Sequence, residues 1–186
     1  MWYHVFELEH VKRPPADENE LDRFVTAWNA ALSEQEMAEI AGRQRNPFPA
    51  GHELYDQYKP FDPASWKLPQ KAFPANYLDF LRYSNGGEFQ NGDRFFQFFG
   101  TDQLREYNLA YELPEYMKHA VSFGMDGCGN HYLFDMREER NNNEYPILVA
   151  HSGYLDYDGC VLVAESFLEL CTGRTSMDEE MDRRWV

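Results

Sequence analysis

The chain has 186 residues, of which 43% are hydrophobic and 16% aromatic, enough apolar material for one core and too much for a disordered polymer. Its formal net charge is −15, with 12 acidic and 6 basic residues in 1–65 and 20 and 11 in 66–186, so the acidity is spread along the chain. Such a field repels phosphate backbones and argues against direct DNA or RNA binding, while it speeds encounter with a basic partner. Trp2, His4, Phe6 and Leu8 alternate with Tyr3, Val5, Glu7 and Glu9, which predicts a first strand closed by Pro14-Pro15. Asp17 followed by Glu20 makes a helix start, and Leu21, Phe24, Val25, Trp28 and Leu32 line one face of the helix that follows. Ser33 and Glu36 repeat that spacing for a short second helix, with Gly42 as its expected left-handed stop.

Residues 46–63 lack a period and are rich in Pro and aromatic side chains, which predicts an ordered loop packed on the domain. Pro74 suits the first turn of a third helix through Leu81, ended by Asn85-Gly86-Gly87. Arg94–Phe99 is too apolar to leave one face wet and reads as a central strand. A short helix at 104–111 precedes strands at 120–123, 131–135, 146–151 and 160–164. A last helix over 165–170 stops at Thr172-Gly173, and 178–186 is expected to fray. Strands about ten residues apart leave no room for long crossover helices. The expected class is therefore α+β, with an antiparallel or mixed sheet of five to six strands flanked by helices.

Three cysteines, Cys128, Cys160 and Cys171, form an odd and sparse set that fits a reducing compartment. The N-terminal residues carry no secretory pattern, and no apolar run reaches the roughly 18 residues of a membrane span, so a soluble cytoplasmic protein is expected.

The catalytic and ligand motifs each fail on context. Gly124-x-x-Gly127-x-Gly129 is followed by a strand, where a phosphate cradle needs a helix N-terminus. Cys128, His131, His151 and Cys160 do not have the spacing of a recognised zinc knuckle, and no metal is expected. Asp156-x-Asp158-Gly159 has its glycine two positions too early for a calcium loop, with Phe167 where the last ligand would stand, and reads as a hairpin turn. None of the three cysteines sits on a nucleophile elbow. No cofactor and no catalytic residue is expected. Tyr154 and Tyr157, flanked by Asp156 and Asp158, are read as exposed tyrosines beside acid, a composition suited to an interface with a basic protein.

Three segments carry a resemblance. They are Leu68-Pro69 with the helix from Phe73 to Leu81 running into Asn85-Gly86-Gly87; Phe123-Gly124-Met125-Asp126-Gly127-Cys128-Gly129-Asn130-His131 through Asp135; and Pro146–Ala150 followed by Val163–Leu170. In this order they resemble the SUKH superfamily, whose members include fungal cell-wall assembly regulators and bacterial immunity proteins that neutralise polymorphic toxins. The likeness covers about 66–171; the chain length fits one domain over 1–186, with 1–65 read as an N-terminal strand, helices and loop and 172–186 as an acidic tail. Asn85, Gly86, Gly87, Asp126, Gly127 and Gly129 are turn-forming positions that define the fold. The resemblance further implies a non-catalytic protein-binding module whose partner is a basic toxin domain such as a nuclease. A regulatory scaffold in cell-wall or signalling pathways, and an enzyme with an unrecognised small-molecule site, are the alternatives.

Overall fold

Seven strands lie side by side in the order in which the chain makes them, β1-β2-β3-β4-β5-β6-β7, and every neighbouring pair is antiparallel. The computed structural model describes residues 2–137 and 143–184. Its class is α+β, as expected, but among the described residues the sheet has seven strands where about five to six were predicted. The strands are β1 Leu8–Lys12, β2 Gly87–Asn91, β3 Arg94–Phe98, β4 Ala120–Met125, β5 Asn130–Asp135, β6 Ile147–His151 and β7 Val161–Ala164.

The added strand is β2. Its sequence, Gly-Glu-Phe-Gln-Asn, has one large apolar side chain, so it carries no run to recognise. Register supplies what the sequence lacks, because Phe89 stands directly opposite Phe96 of β3 and both are fully buried. The alternation at 2–8 is likewise not a strand. Trp2–His4 is a 3-10 turn, and Trp2 and Phe6, four residues apart, turn together into the core against Phe80. Strand β1 begins only at Leu8, and all five of its residues are exposed at the sheet edge.

Helix α1, Glu18–Asn29, starts where predicted, with Asp17 accepting from the Glu20 N–H at 2.8 Å. Helix α2, Glu34–Arg43, opens on the reciprocal Ser33–Glu36 capping box. Gly42 lies inside α2 and does not terminate it; the helix ends at Gln44, whose side chain bonds both the N–H and the carbonyl of Phe61. The 46–63 loop is held by such contacts and by 3-10 turns at Tyr55–Gln57 and Pro63–Ser65. Helix α3, Ala75–Tyr83, has Pro74 at its N-cap and buries Tyr77, Phe80 and Leu81.

The expected helix at 104–111 is α4, Leu104–Ala110. The chain then reverses at Glu112, in the left-handed region at φ 56°, into a further turn of helix, α5, Leu113–Tyr116. Pro114 explains the break, because it starts a new helix easily but cannot continue an old one. Helix α6 is Phe167–Thr172, capped by Ser166. Fraying was expected over 178–186; of these residues 178–184 belong to helix α7, Met177–Arg184, while 185–186 lie outside the described residues. Burial of Met177 and an ion pair at 3.0 Å between Glu180 and Arg94 hold this helix; Arg94 is 3% exposed and also donates to the Thr175 carbonyl at 2.8 Å.

One sheet face packs a layer of aromatic rings against α3 and α6. Phe98, Phe123 and Phe134 face Tyr77, Phe80 and Phe167 at centroid distances of 4.8–6.2 Å, mostly edge-on or tilted. On the other face a smaller cluster, Leu113, Met117, Ala120, Leu133, Leu148 and Ala150, is roofed by α5. Strand β5 is buried throughout because both layers cover it.

Candidate groove beside the β6–β7 loop

Helix α4 is fixed to the sheet by a polar network. Asn108 is fully buried; its Nδ2 donates to the Leu104 and Ser122 carbonyls at 2.8 and 2.7 Å, and its Oδ1 accepts from the Ser122 N–H at 2.9 Å. The β3–β4 ladder pairs only Gly124 and Met125 of β4, so Asn108 meets these Ser122 backbone groups beyond its end. The Ser122 hydroxyl is hydrogen-bonded to Nδ1 of His131 at 2.8 Å, and the His131 ring meets Tyr111 edge-on at 4.3 Å. Nε2 of His131 has no hydrogen-bond partner among the described residues. Burial, the dominant cause, pulls the His131 pKa down to about 4, so the ring is neutral at physiological pH.

Tyr111 is the outer member of a stack with Phe99 and Tyr107, at 4.5 and 6.5 Å. It forms one wall of an open groove of about 460 Å³ between the α4–α5 corner and the loop after β6. Tyr111, Glu112 and Tyr116 line one side of it, and Tyr154, Leu155 and Asp156 the other. Among the described residues no lysine or arginine lines it. Burial, followed by the neighbouring Glu112 and Glu115 carboxylates, raises the Tyr116 pKa and keeps its hydroxyl protonated.

The residues expected at an interface divide here. Tyr154 is 61% exposed and its ring lies over Gly159, where any side chain would collide with it. Asp156 and Asp158 are exposed, and the Asp156 carboxylate caps the turn by accepting from the Asp158 N–H at 2.8 Å. Tyr157 is not the exposed residue expected. It is half-buried, its hydroxyl donates to the Lys118 carbonyl at 2.6 Å, and the Arg137 guanidinium lies 3.4 Å from its ring centroid. Arg137 is itself held by two bonds to Asp135. The reason is the smaller core cluster, which needs an aromatic lid at this point. Tyr111, Glu112 and Tyr116 were missed because their strand-distant position shows only in the fold; Pro114, as a helix-start signal, was the available hint.

The turn-forming positions are structural in their surroundings. Asn85 is buried and bridges Glu20 and Thr101, its Nδ2 donating to both side chains at 2.7 and 2.8 Å. Gly86 and Gly87 are left-handed at φ 81° and 126°, and a Cβ on Gly86 would sit 2.6 Å from the Gly100 nitrogen. Asp126 is buried and closes the β4–β5 turn by accepting from the Cys128 and Asn130 N–H groups at 2.8 and 3.0 Å, with Gly127 and Gly129 left-handed at φ 79° and 100°. Cys128 is exposed and Cys171 fully buried, its thiol pKa raised by desolvation. Among the described residues no group of three or more His, Cys, Asp or Glu side chains is placed to hold a metal ion. Nor is any helix among them long and apolar enough to cross a membrane.

The model of the SMI1/KNR4 family (SUKH-1) matches residues 63–172, which contain β2–β7 and the helices α3–α6. The chain belongs to this family. SUKH-1 domains are known in toxin immunity and cell-wall regulation, and in general they bind proteins and do not catalyse reactions. A search of curated proteins returns no match for the chain. Strand β1, helices α1 and α2 and helix α7 lie outside the SUKH-1 match, yet α1 and α7 contribute buried side chains to the same aromatic core.

Proposed function

We propose that this chain is a non-catalytic binding module of the immunity type, which occludes a basic toxin domain such as a nuclease. The observation that carries the reading is the β6–β7 groove, where three tyrosines and two carboxylates converge and, among the described residues, no lysine or arginine lines the wall. Tyrosine offers a large rigid contact area at low entropic cost and its ring face attracts Arg and Lys, while carboxylates pair with the same side chains. The −15 net charge adds long-range steering. Tyr154, Asp156 and Asp158 are the contact residues in this reading, and Tyr157 with Arg137 and Asp135 holds their loop in place. The unit is the whole chain, with the described residues on either side of the family match, 2–62 and 173–184, adding to the family core, acting in the cytoplasm.

The experiment is titration calorimetry with the toxin domain encoded beside this gene, at low and at high salt. Binding that weakens as salt rises, and that Tyr154→Ala with Asp156→Lys abolishes, is the expected result. Absence of binding at low salt would refute the reading.

A further inference from the structure

A second groove meets α5 at Pro114, where the first meets it at Tyr116, and its chemistry is inverted. It has a volume of about 490 Å³, and Lys67, Lys118 and His119 line it together with Pro69 and Pro114. These are two of only five lysines in a strongly acidic chain. Both are exposed, and neither takes part in an ion pair among the described residues, whereas arginines 13, 82, 94, 105 and 137 are each paired with a carboxylate. Glu115, the nearest carboxylate on α5, is engaged with the Trp66 indole N–H at 2.8 Å. That bond, and the Trp28 indole N–H donated to the Pro69 carbonyl at 2.9 Å, fix the wall that carries Lys67.

The basic groove runs into an apolar one of about 470 Å³ lined by Leu32, Met37, Pro63 and Trp66, and the two share Lys67, Leu68 and Gln70. We infer that this continuous surface is a docking site for an extended acidic segment of a partner protein, with an apolar side chain seated near Leu32 and Trp66 and carboxylates against Lys67 and Lys118. Charge complementarity selects the occupant. Both grooves are open and their cations exposed, so a small anion would remain solvated there, while an extended segment covers the length. A nucleic acid is disfavoured by the net charge of −15, which a long polyanion meets everywhere outside this patch. The surface shares no lining residue with the tyrosine groove, so either site can fail without the other.

The test uses the full chain and a short dye-labelled peptide carrying a leucine followed by a run of aspartates, beside a counterpart with asparagine for every aspartate. Fluorescence anisotropy at low salt is expected to show binding of the acidic peptide only. Lys67→Glu with Lys118→Glu is expected to weaken it by at least about tenfold, whereas the charge-matched pair Arg23→Glu with Lys59→Glu changes it by less than about threefold. Lys67→Gln with Lys118→Gln, a milder pair, gives the same direction should the reversal disturb the melting temperature. Equal binding of the asparagine peptide, equal weakening by the control pair, or no binding up to about 1 mM protein overturns the proposal. Displacement by inorganic phosphate beyond that of sodium chloride at equal ionic strength overturns it too, by assigning the lysines to a small anion.

Discussion

The two faces of the sheet are built on different principles. The face under α3 and α6 is a layer of phenylalanine and tyrosine rings, in which position follows from shape and area alone. The face under α4 and α5 has a smaller aliphatic cluster and relies on the Asn108–Ser122–His131 chain to set the helix that forms the groove. A hydrophobic layer tolerates small shifts, whereas a buried polar chain allows one arrangement and fails if any link is removed. The side that carries the tyrosine groove is thus the side whose geometry is most narrowly specified.

The sharpest way to break this contrast is to damage each face in turn. Phe123→Ala, in the middle of the ring layer, is expected to cost about 4 kcal/mol in denaturant unfolding, because a large cavity opens among rings that cannot close over it. On the polar face the largest effect is one of pH. His131 has its pKa depressed to about 4, against roughly 6.5 when unfolded, so the unfolded chain takes up the proton first. Its contribution to stability is complete above pH 6.5 and is lost as pH falls toward 4, by up to on the order of 3 kcal/mol. Unfolding curves of His131→Gln across that window should be flatter than those of the parent; parallel curves would remove His131 from the account. Asn108→Ala leaves the Ser122 N–H and carbonyl without their partner and is expected to cost about 2 kcal/mol. It should also weaken partner binding by more than that loss explains, since Tyr111 moves with α4. Smallest of all, Tyr154→Ala should change stability by less than about 0.5 kcal/mol, as an exposed substitution, while abolishing most partner affinity.

Much of the scaffold was legible because its signals are local. Asp17–Glu20 and Ser33–Glu36 fix helix starts through one or two hydrogen bonds between near neighbours, and β3 to β7 show as apolar runs between turns. What escaped depended on partners distant in sequence. Strand β2 exists because Phe89 meets Phe96, and the 2–8 alternation dissolved because Trp2 and Phe6 found Phe80 and Phe167. The candidate groove was half visible. The tyrosine and aspartate side belongs to a single loop, but Tyr111, Glu112 and Tyr116 reach it only through the reversal at Glu112, which no spacing in the sequence encodes. Tyr157 was misjudged for the same reason, since its burial depends on Lys118 and Arg137.

The pairing order also carries a kinetic consequence. Strands β3 to β7 each join the strand before them, so the sheet can grow by closing one local connection after another, with little entropy lost at each step. Strand β1 is different, because Lys12 pairs with Gly87 and the intervening chain must be gathered before that edge can form. Strand β1 is therefore expected to be the last to zip and the first to open. Amide protons of β1 should exchange by local opening long before those of β5, at the doubly covered centre of the sheet.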